Sequence, residues 1–287
     1  MLISRPGNDF NEIGINDIPV IPTSFYMSTL GGYAATGAYG FGALKNGALW
    51  DNLIEVEIYT PKGFYTVTGK NILSTTLAAG TTGIITKIKM RLVNRKYKKI
   101  NIVKKTFNSL SKALDDAFNI LNSTEFLSIR NYGMAKEIDP EYSWDKWNII
   151  YGVYDENGQS YATKDIITSF AGSYFTVVSK RKVNYNSLNI SLDELDKKSR
   201  ILEEAKCLIN AEITKSSNKI FSRTYILDYT KLPQLGYNVN LHSYKVNDIV
   251  KIDFTNNDRL EKIIDFKQKV DPEDRLNPGK INTNLNI

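Results

Sequence analysis

The chain has 287 residues, of which 42% are hydrophobic and 24% charged, a balance that suits a folded protein with a sizeable core and room for more than one domain. One cysteine, Cys207, excludes an internal disulfide and a cysteine metal cluster, and one histidine, His242, excludes a histidine-rich metal site. No apolar run approaches the length of a membrane span and MLISRPGNDF lacks the apolar core of a signal, so no membrane span and a cytoplasmic location are expected.

Residues 1–27 carry Pro6, Gly7, Asn8, Asn11, Asn16, Pro19 and Pro22 without a helical period and read as an extended loop. The stretch Ser28–Gly47, STLGGYAATGAYGFGALKNG, contains 6 glycines and 4 alanines. Backbone that bare either makes tight turns or admits a large flat ligand to van der Waals contact. Tyr33, Tyr39 and Phe41, with little Ser, Pro or charge around them, argue against a linker. A ligand cradle and a set of glycine turns between strands both remain open here.

Downstream, Ile54, Val56 and Ile58 alternate with Glu55, Glu57 and Tyr59, the chain turns at Pro61–Gly63, and alternation resumes through Tyr65 and Val67, which predicts a hairpin. A second small-residue loop, Ala78–Gly83, leads into a strand over Ile84–Leu92. Leu110, Leu114, Ala117, Phe118 and Leu121 then fall on one helical face. Strands are expected at Glu125–Arg130, Trp147–Asp155 and Tyr174–Val178, with a helix at Tyr161–Phe170. Residues 191–210 read as the longest helix, opened by Ser191 and Glu194 at capping-box spacing and carrying Cys207 toward the core. Strands over Ile220–Leu227, Val239–Tyr244 and Ile249–Phe254 follow, and Leu260, Ile263 and Ile264 mark a last helix. The order predicts a ferredoxin-like antiparallel α+β domain with helices on one face of the sheet. The net charge of +6 arises from short clusters, Arg95–Lys99, Lys104–Lys105 and Lys180–Lys182, at expected strand edges; solvated faces explain them better than nucleic acid, and a basic chain also attracts an anionic cofactor or substrate.

The Ser-Thr-x-Gly-Gly element at Ser28–Gly32, the small-residue turn after it, the Asn46-Gly47…Asp51-Asn52 strand entry, the Gly80–Thr86 loop GTTGIIT and the terminal Asp271-Pro272…Asn277-Pro278-Gly279-Lys280 occur in that order. Together they resemble the signature of FAD-binding flavoproteins of the vanillyl-alcohol-oxidase type, which include D-lactate and glycolate dehydrogenases and alkyl-dihydroxyacetonephosphate synthase. The resemblance implies an α+β fold with the C-terminal part of an FAD-binding domain in residues 1–94, a substrate or cap domain in 95–270, and a segment 271–287 that returns to the FAD domain. The family carries a further glycine-rich pyrophosphate loop before this point, so the resemblance also implies a separately encoded polypeptide that completes the domain, or a truncated remnant.

Carried over residue by residue, FAD would lie along Ser28, Thr29, Gly31 and Gly32, then Thr36, Gly37, Ala38 and Tyr39, then Ala79, Gly80, Thr81, Gly83 and Ile84, where amides and hydroxyls can donate to its carbonyls and phosphates. Ala79 stands where the family often has an acidic residue. The implied activity is an FAD-dependent oxidoreductase acting on a small 2-hydroxy acid or related anion. A degenerate non-catalytic subunit that pairs with an intact flavoprotein, and a basic binding protein without cofactor, are the alternatives. For chemistry, Arg130 in SIRNYG matches a substrate-facing arginine of the synthase cap, its other reading being a strand-end surface arginine whose loss leaves stability unchanged. Arg223 and Tyr225 on an alternating strand and His242 in VNLHSYK are further candidates, with ordinary packing the competing role for each.

Overall fold

The structure, a computed structural model, describes residues 2–4, 17–25, 28–37, 39–160, 163–173, 177, 184–228, 235, 245–253 and 255–282. The chain divides into two compact units, one of residues 1–40, 46–94 and 240–287, the other of residues 41–45 and 95–239.

The first unit is built on an antiparallel sheet of strands β1 (Leu2–Ser4), β2 (Leu53–Thr60), β3 (Gly63–Thr68) and β4 (Ile84–Met90), ordered β1-β4-β2-β3. The hairpin β2–β3 forms as its alternation predicts: Val56, Ile58 and Val67 are buried, while the other face carries Glu55, paired with Lys87, and Glu57, which accepts from the Thr86 hydroxyl at 2.8 Å. The N-terminal stretch departs from the expected loop, because Leu2–Ser4 pairs antiparallel with β4.

The glycine stretch also departs from expectation, since Leu30–Thr36 is a helix. Glycine is a poor helix former, yet Thr29 Oγ1 caps the first turn by accepting from the Gly32 amide at 3.1 Å, and Leu30, Tyr33 and Ala34 bury one face at helical spacing. Gly37 closes the helix at φ +59, where its amide donates to the Tyr33 carbonyl. The strand expected over Ile249–Phe254 is replaced by a helical turn, Val246–Ile249, and a 3-10 turn, Val250–Ile252, with Phe254 outside the described residues. The last helix spans Arg259–Val270 and buries Ile263, Ile264 and Val270. Its first residue is fixed inside the unit: Arg259 Nε donates to Asp253 Oδ2 at 2.6 Å, Nη1 donates to the Thr76 hydroxyl at 2.8 Å, and the guanidinium lies 4.4 Å from the centre of a Trp50 ring.

The second unit is a six-stranded antiparallel sheet of β5 (Ile100–Phe107), β6 (Phe126–Asn131), β7 (Trp147–Tyr154), β8 (Tyr185–Ser191), β9 (Leu208–Ser216) and β10 (Lys219–Leu227), ordered β5-β7-β6-β9-β10-β8. One face carries Leu127, Ile129, Ile149, Leu188, Ile209, Ala211 and Ile213, which pack with Leu110, Leu114 and Ala117 of helix Leu110–Ile120 and with Leu195 and Leu202 of helix Leu195–Glu204. The expectation of helices on one face is corrected here. Helix Thr163–Gly172 lies against the opposite face, where Arg130 Nη2 donates to the Ser169 carbonyl at 2.7 Å and Ser128 Oγ to the Phe170 carbonyl at 2.6 Å, satisfying acceptors of the helix's last turn. Lys104 and Lys105 sit on β5, an edge strand of this sheet, where lysines discourage pairing with another chain.

The helix expected over 191–210 is shorter. Ser191 still ends β8, and its hydroxyl bonds to the Glu194 carboxylate rather than capping an amide. Helix Leu195–Glu204 then stops in a Schellman turn: Lys206 adopts φ +57, its amide bonds the Glu203 carbonyl, and the Cys207 amide bonds the Leu202 carbonyl. Cys207 is buried in the core, as expected, but after the helix rather than on it, and Leu208–Ser216 is strand. The strands expected at Tyr174–Val178 and Val239–Tyr244, and the cluster Lys180–Lys182, lie largely or wholly outside the described residues.

Arg259→Met is expected to destabilise the protein by about 3–5 kcal/mol in urea unfolding, because it leaves the Asp253 carboxylate buried without its partner. Adding Asp253→Asn should recover much of that loss; an additive double variant would show that the pair is not coupled.

Candidate functional site

Two neighbouring cavities in the first unit are lined by the glycine stretch. One, of about 460 Å³, is bounded by Thr29, Gly31, Gly32, Gly80, Gly83 and Ile84 together with Ala35, Ile85 and Arg275–Asn277. The other, of about 400 Å³, is bounded by Ser28, Thr29, Gly32, Thr36 and Gly37 with Pro22–Ser24 and Tyr33. Thr29 and Gly32 line both, and both volumes lie in the range of small-molecule pockets. Of the other residues expected at the cofactor, Tyr39 is buried edge-on against Trp50, Thr81 is buried with its hydroxyl on the Ala78 carbonyl, and Ala79 bonds the Ala35 carbonyl through its amide. Ala38 lies outside the described residues.

The glycines are of two kinds. A side chain at Gly37 would strike Leu77 Cδ2 at 2.3 Å, and one at Gly83 would strike Ile58 Cγ1 at 2.5 Å, so these two are glycine for the fold. Gly31 has no such reason, and Gly32 has a milder one. They lie in a helix, where glycine costs about 1 kcal/mol against alanine, and an added Cβ at Gly31 meets nothing closer than the Ile85 carbonyl at 3.6 Å. At Gly32 it would crowd Thr29 Oγ1 at 3.1 Å, the hydroxyl that caps this helix. What their bareness preserves is the backbone surface of the cavities.

The terminal loop that lines the larger cavity is held by a buried lysine. Lys267 Nζ donates to Asp271 Oδ2 at 2.5 Å and to the Leu276 carbonyl at 3.0 Å, while the Asp271 carboxylate accepts the amides of Arg275 and Leu276 at 3.0 and 2.8 Å. Burial works against the Asp271 charge, but Lys267 and these two amides hold its carboxyl below the usual range. Asn277 Nδ2 then reaches the Ala79 carbonyl at 2.7 Å, tying this loop to the loop that contains Gly80. Arg275, whose guanidinium pairs with Glu273, belongs to the lining of the larger cavity. Sequence reasoning assigned no ligand role to Arg275, Leu276 or Asn277, although the motif that contains them was visible.

In the second unit, Arg130 and Arg223 meet on the sheet face opposite the apolar core. Arg130 is 2% and Arg223 1% exposed, which corrects the reading of Arg130 as a surface arginine neutral for stability. β9 places Asn210 and Glu212 between them. Arg130 Nε donates to Asn210 Oδ1 at 2.7 Å, Asn210 Nδ2 donates to Glu212 Oε1 at 3.0 Å, and Arg223 donates to Asn189 Oδ1 and Ser187 Oγ at 2.8 and 3.0 Å. Burial pushes the Glu212 carboxyl up to about 8, with Arg130 and Arg223 opposing, and brings Arg130 down to about 10, with Glu212 opposing. Burial, and then Glu212, raises the Tyr225 phenol. His242 lies outside the described residues. Glu212 was missed because the helix was carried to residue 210 and no strand was read before Ile220. Strand alternation of Ile209, Ala211 and Ile213 against Asn210, Glu212 and Thr214 would have put it on a polar face.

Glu212 sets a pH dependence whose sign is fixed. Its native value near 8 lies above the ordinary 4.5, so between those values the folded chain holds a proton that the unfolded chain has lost, and stability falls as pH rises. The loss is at most about 1.4 kcal/mol per pH unit. Urea unfolding of wild type and Glu212→Gln between about pH 5 and 8 should show wild-type stability falling relative to that of the variant as pH rises; parallel curves would contradict the burial of an ionisable Glu212.

No protein-family model and no curated protein sequence matches this chain. Among solved structures it is similar to alkyldihydroxyacetonephosphate synthase in two crystal forms. One aligns with a TM-score of 0.64 at 16% identity over 96% of this chain and 63% of the synthase chain, the other with a TM-score of 0.61 at 16% identity over 96% and 62%. This chain therefore spans less than two thirds of the length of the structures it matches. Likeness at that identity speaks for fold alone: the mixed helix and antiparallel-sheet fold of this chain is similar to that of these synthase structures.

Proposed function

We propose that this chain is the flavin-holding and substrate-capping part of an FAD-dependent oxidoreductase that acts on a small anionic substrate such as a 2-hydroxy acid. The observation that carries this reading is Gly31, a helical glycine with no steric need inside the protein, which with Gly32 keeps bare backbone along the larger of two adjoining cavities. Thr29, Gly31, Gly32, Gly80 and Asn277 would hold the cofactor, and Arg275 would face its anionic part. Bound flavin would supply the two-electron chemistry. The residues of this chain would bind and orient: Arg130 and Arg223 offer guanidiniums for the substrate's anion, and Glu212 is the carboxyl beside them.

A second reading takes the chain as a part that holds flavin only together with further protein, or as a non-catalytic relative of such enzymes. An apolar ridge favours the first of these. Tyr59, Phe64 and Ile84 stand opposite one another on β2, β3 and β4 and are 48%, 67% and 60% exposed, and Ile84 also lines the larger cavity. A separately encoded polypeptide seated there would complete the flavin site. Among the described residues, no helix is long and apolar enough to cross a membrane.

Gly31→Ala should leave the protein as stable as wild type or up to about 1 kcal/mol more so, while Gly31→Val should lower the flavin retained after desalting, read from the visible absorption spectrum. Full flavin content in Gly31→Val would remove the cradle. A colourless wild-type preparation that takes up flavin on co-expression with a second polypeptide would favour the second reading.

A further inference from the structure

We propose that Glu212 is a positioning residue that makes anion binding at Arg130 and Arg223 depend on the uptake of a proton. This inference rests on the reading of that sheet face as the place of the anionic substrate, and it adds how the place is controlled.

The register sets the arrangement. Glu212 stands directly opposite Arg223 on β10 and opposite Ser128 on β6, while Arg130 stands opposite Asn210. The Asn210 amide accepts from Arg130 through its oxygen and donates to Glu212 through its nitrogen, so the orientation of the Arg130 guanidinium is referred to the Glu212 carboxyl. The Tyr225 hydroxyl, next along β10, is a further hydrogen-bond partner of the carboxyl. Among the described residues, the charged or titratable groups that face Glu212 are thus two cations and a phenol. β8 adds the neutral Ser187 and Asn189, helix Thr163–Gly172 adds carbonyls, and Asp139 acts on Arg130 from the loop after helix Tyr132–Ile138.

Charge counting then fixes the coupling. Ionisation of Glu212 sets a negative charge against the positive charges of Arg130 and Arg223, and its protonation removes that charge while the two guanidiniums keep theirs. An ionised Glu212 occupies the attraction of the guanidiniums that an incoming oxyanion needs, and repels that oxyanion. The oxyanion therefore arrives with a proton, which moves from solvent to a Glu212 carboxyl oxygen while no bond of the ligand breaks. Reciprocity requires that an anion which favours the protonated carboxyl is itself bound more weakly once the proton leaves. Burial, which already favours the uncharged carboxyl, places the transition within the range where proteins work.

The test follows the arginine Nε–H resonances of the full chain by 15N NMR from about pH 6 to 9, below the value of about 10 to which burial brings Arg130, with and without sodium sulfate, which does not titrate in that range. Arg130→Lys and Arg223→Lys assign the two signals. In wild type both signals should move with one common midpoint, sulfate should raise that midpoint, and sulfate affinity should fall up to tenfold per pH unit above it. Glu212→Gln should abolish the step and make sulfate affinity independent of pH, and Glu212→Asp should keep a step at a changed midpoint. A step that persists in Glu212→Gln, a midpoint that sulfate leaves in place, or no sulfate binding at either arginine would overturn the proposal. Should Glu212→Gln fail to fold, as judged by circular dichroism, the response of the wild-type midpoint to sulfate decides alone. Flavin retention enters none of these readouts, so a colourless protein with proton-linked sulfate binding would refute the flavin reading and leave this one standing.

Discussion

Two guanidiniums buried on the central strands of one sheet are the constraint around which the second unit is built. Burying a charge costs several kcal/mol unless it is met by partners, and here the partners come from four different elements: Asn210 and Glu212 on β9, Ser187 and Asn189 on β8, Tyr225 beside Arg223 on β10, and the carbonyls of Ser169 and Phe170. The face behind them is apolar. A slip of one residue in β6 or β10 would carry an arginine into the packing of Leu127, Ile129, Ile209 and Ala211. The polar set therefore specifies register more than it adds stability, and it does so where the pairing of β6 with β9 joins strands far apart in sequence.

The first unit applies buried charge differently. Arg259 and Lys267 lie on the same helix and each is fixed by an aspartate, Asp253 before it in the chain and Asp271 after it. The two pairs hold the helix between the Thr76 segment and the terminal loop, so the placement of Arg275, Leu276 and Asn277 at the cavity follows from how this helix is seated. Wall and anchor belong to one stretch of chain, and a cavity wall of irregular backbone keeps its shape because its amides are already taken by the Asp271 carboxylate.

Much of the frame could be read from the residues. The hairpin β2–β3, helix Leu110–Ile120 and strands β6, β7 and β10 announce themselves by period, because each buries one face and solvates or polarises the other. Helix Leu30–Thr36 did not, since two glycines hide a helix whose warrant is tertiary: a threonine cap and three buried side chains. The end of helix Leu195–Glu204 was hidden for the opposite reason, because Lys206 occupies the left-handed position where glycine usually signals the stop. That one concealed stop also concealed Glu212, as the period assigned to residues 206–210 decides which side chains share a face. The convergence of Arg130 with Arg223 depends on strand order, to which local pattern is blind.

The fold by itself leaves the chemistry open, since one architecture serves many sites. What narrows it is the difference between residues that the fold needs and residues that it merely tolerates. Gly37 and Gly83 are needed, for any side chain there would run into Leu77 or Ile58. Gly31 weakens the helix that contains it and relieves no clash in return. Glu212 likewise sits where an apolar side chain would avoid a desolvation cost, between cations that a neutral glutamine could still bridge to Asn210. Local costs that no packing in the same unit offsets fall in this chain on the cavity walls and on the polar sheet face, and such costs are expected to be offset by what a site binds.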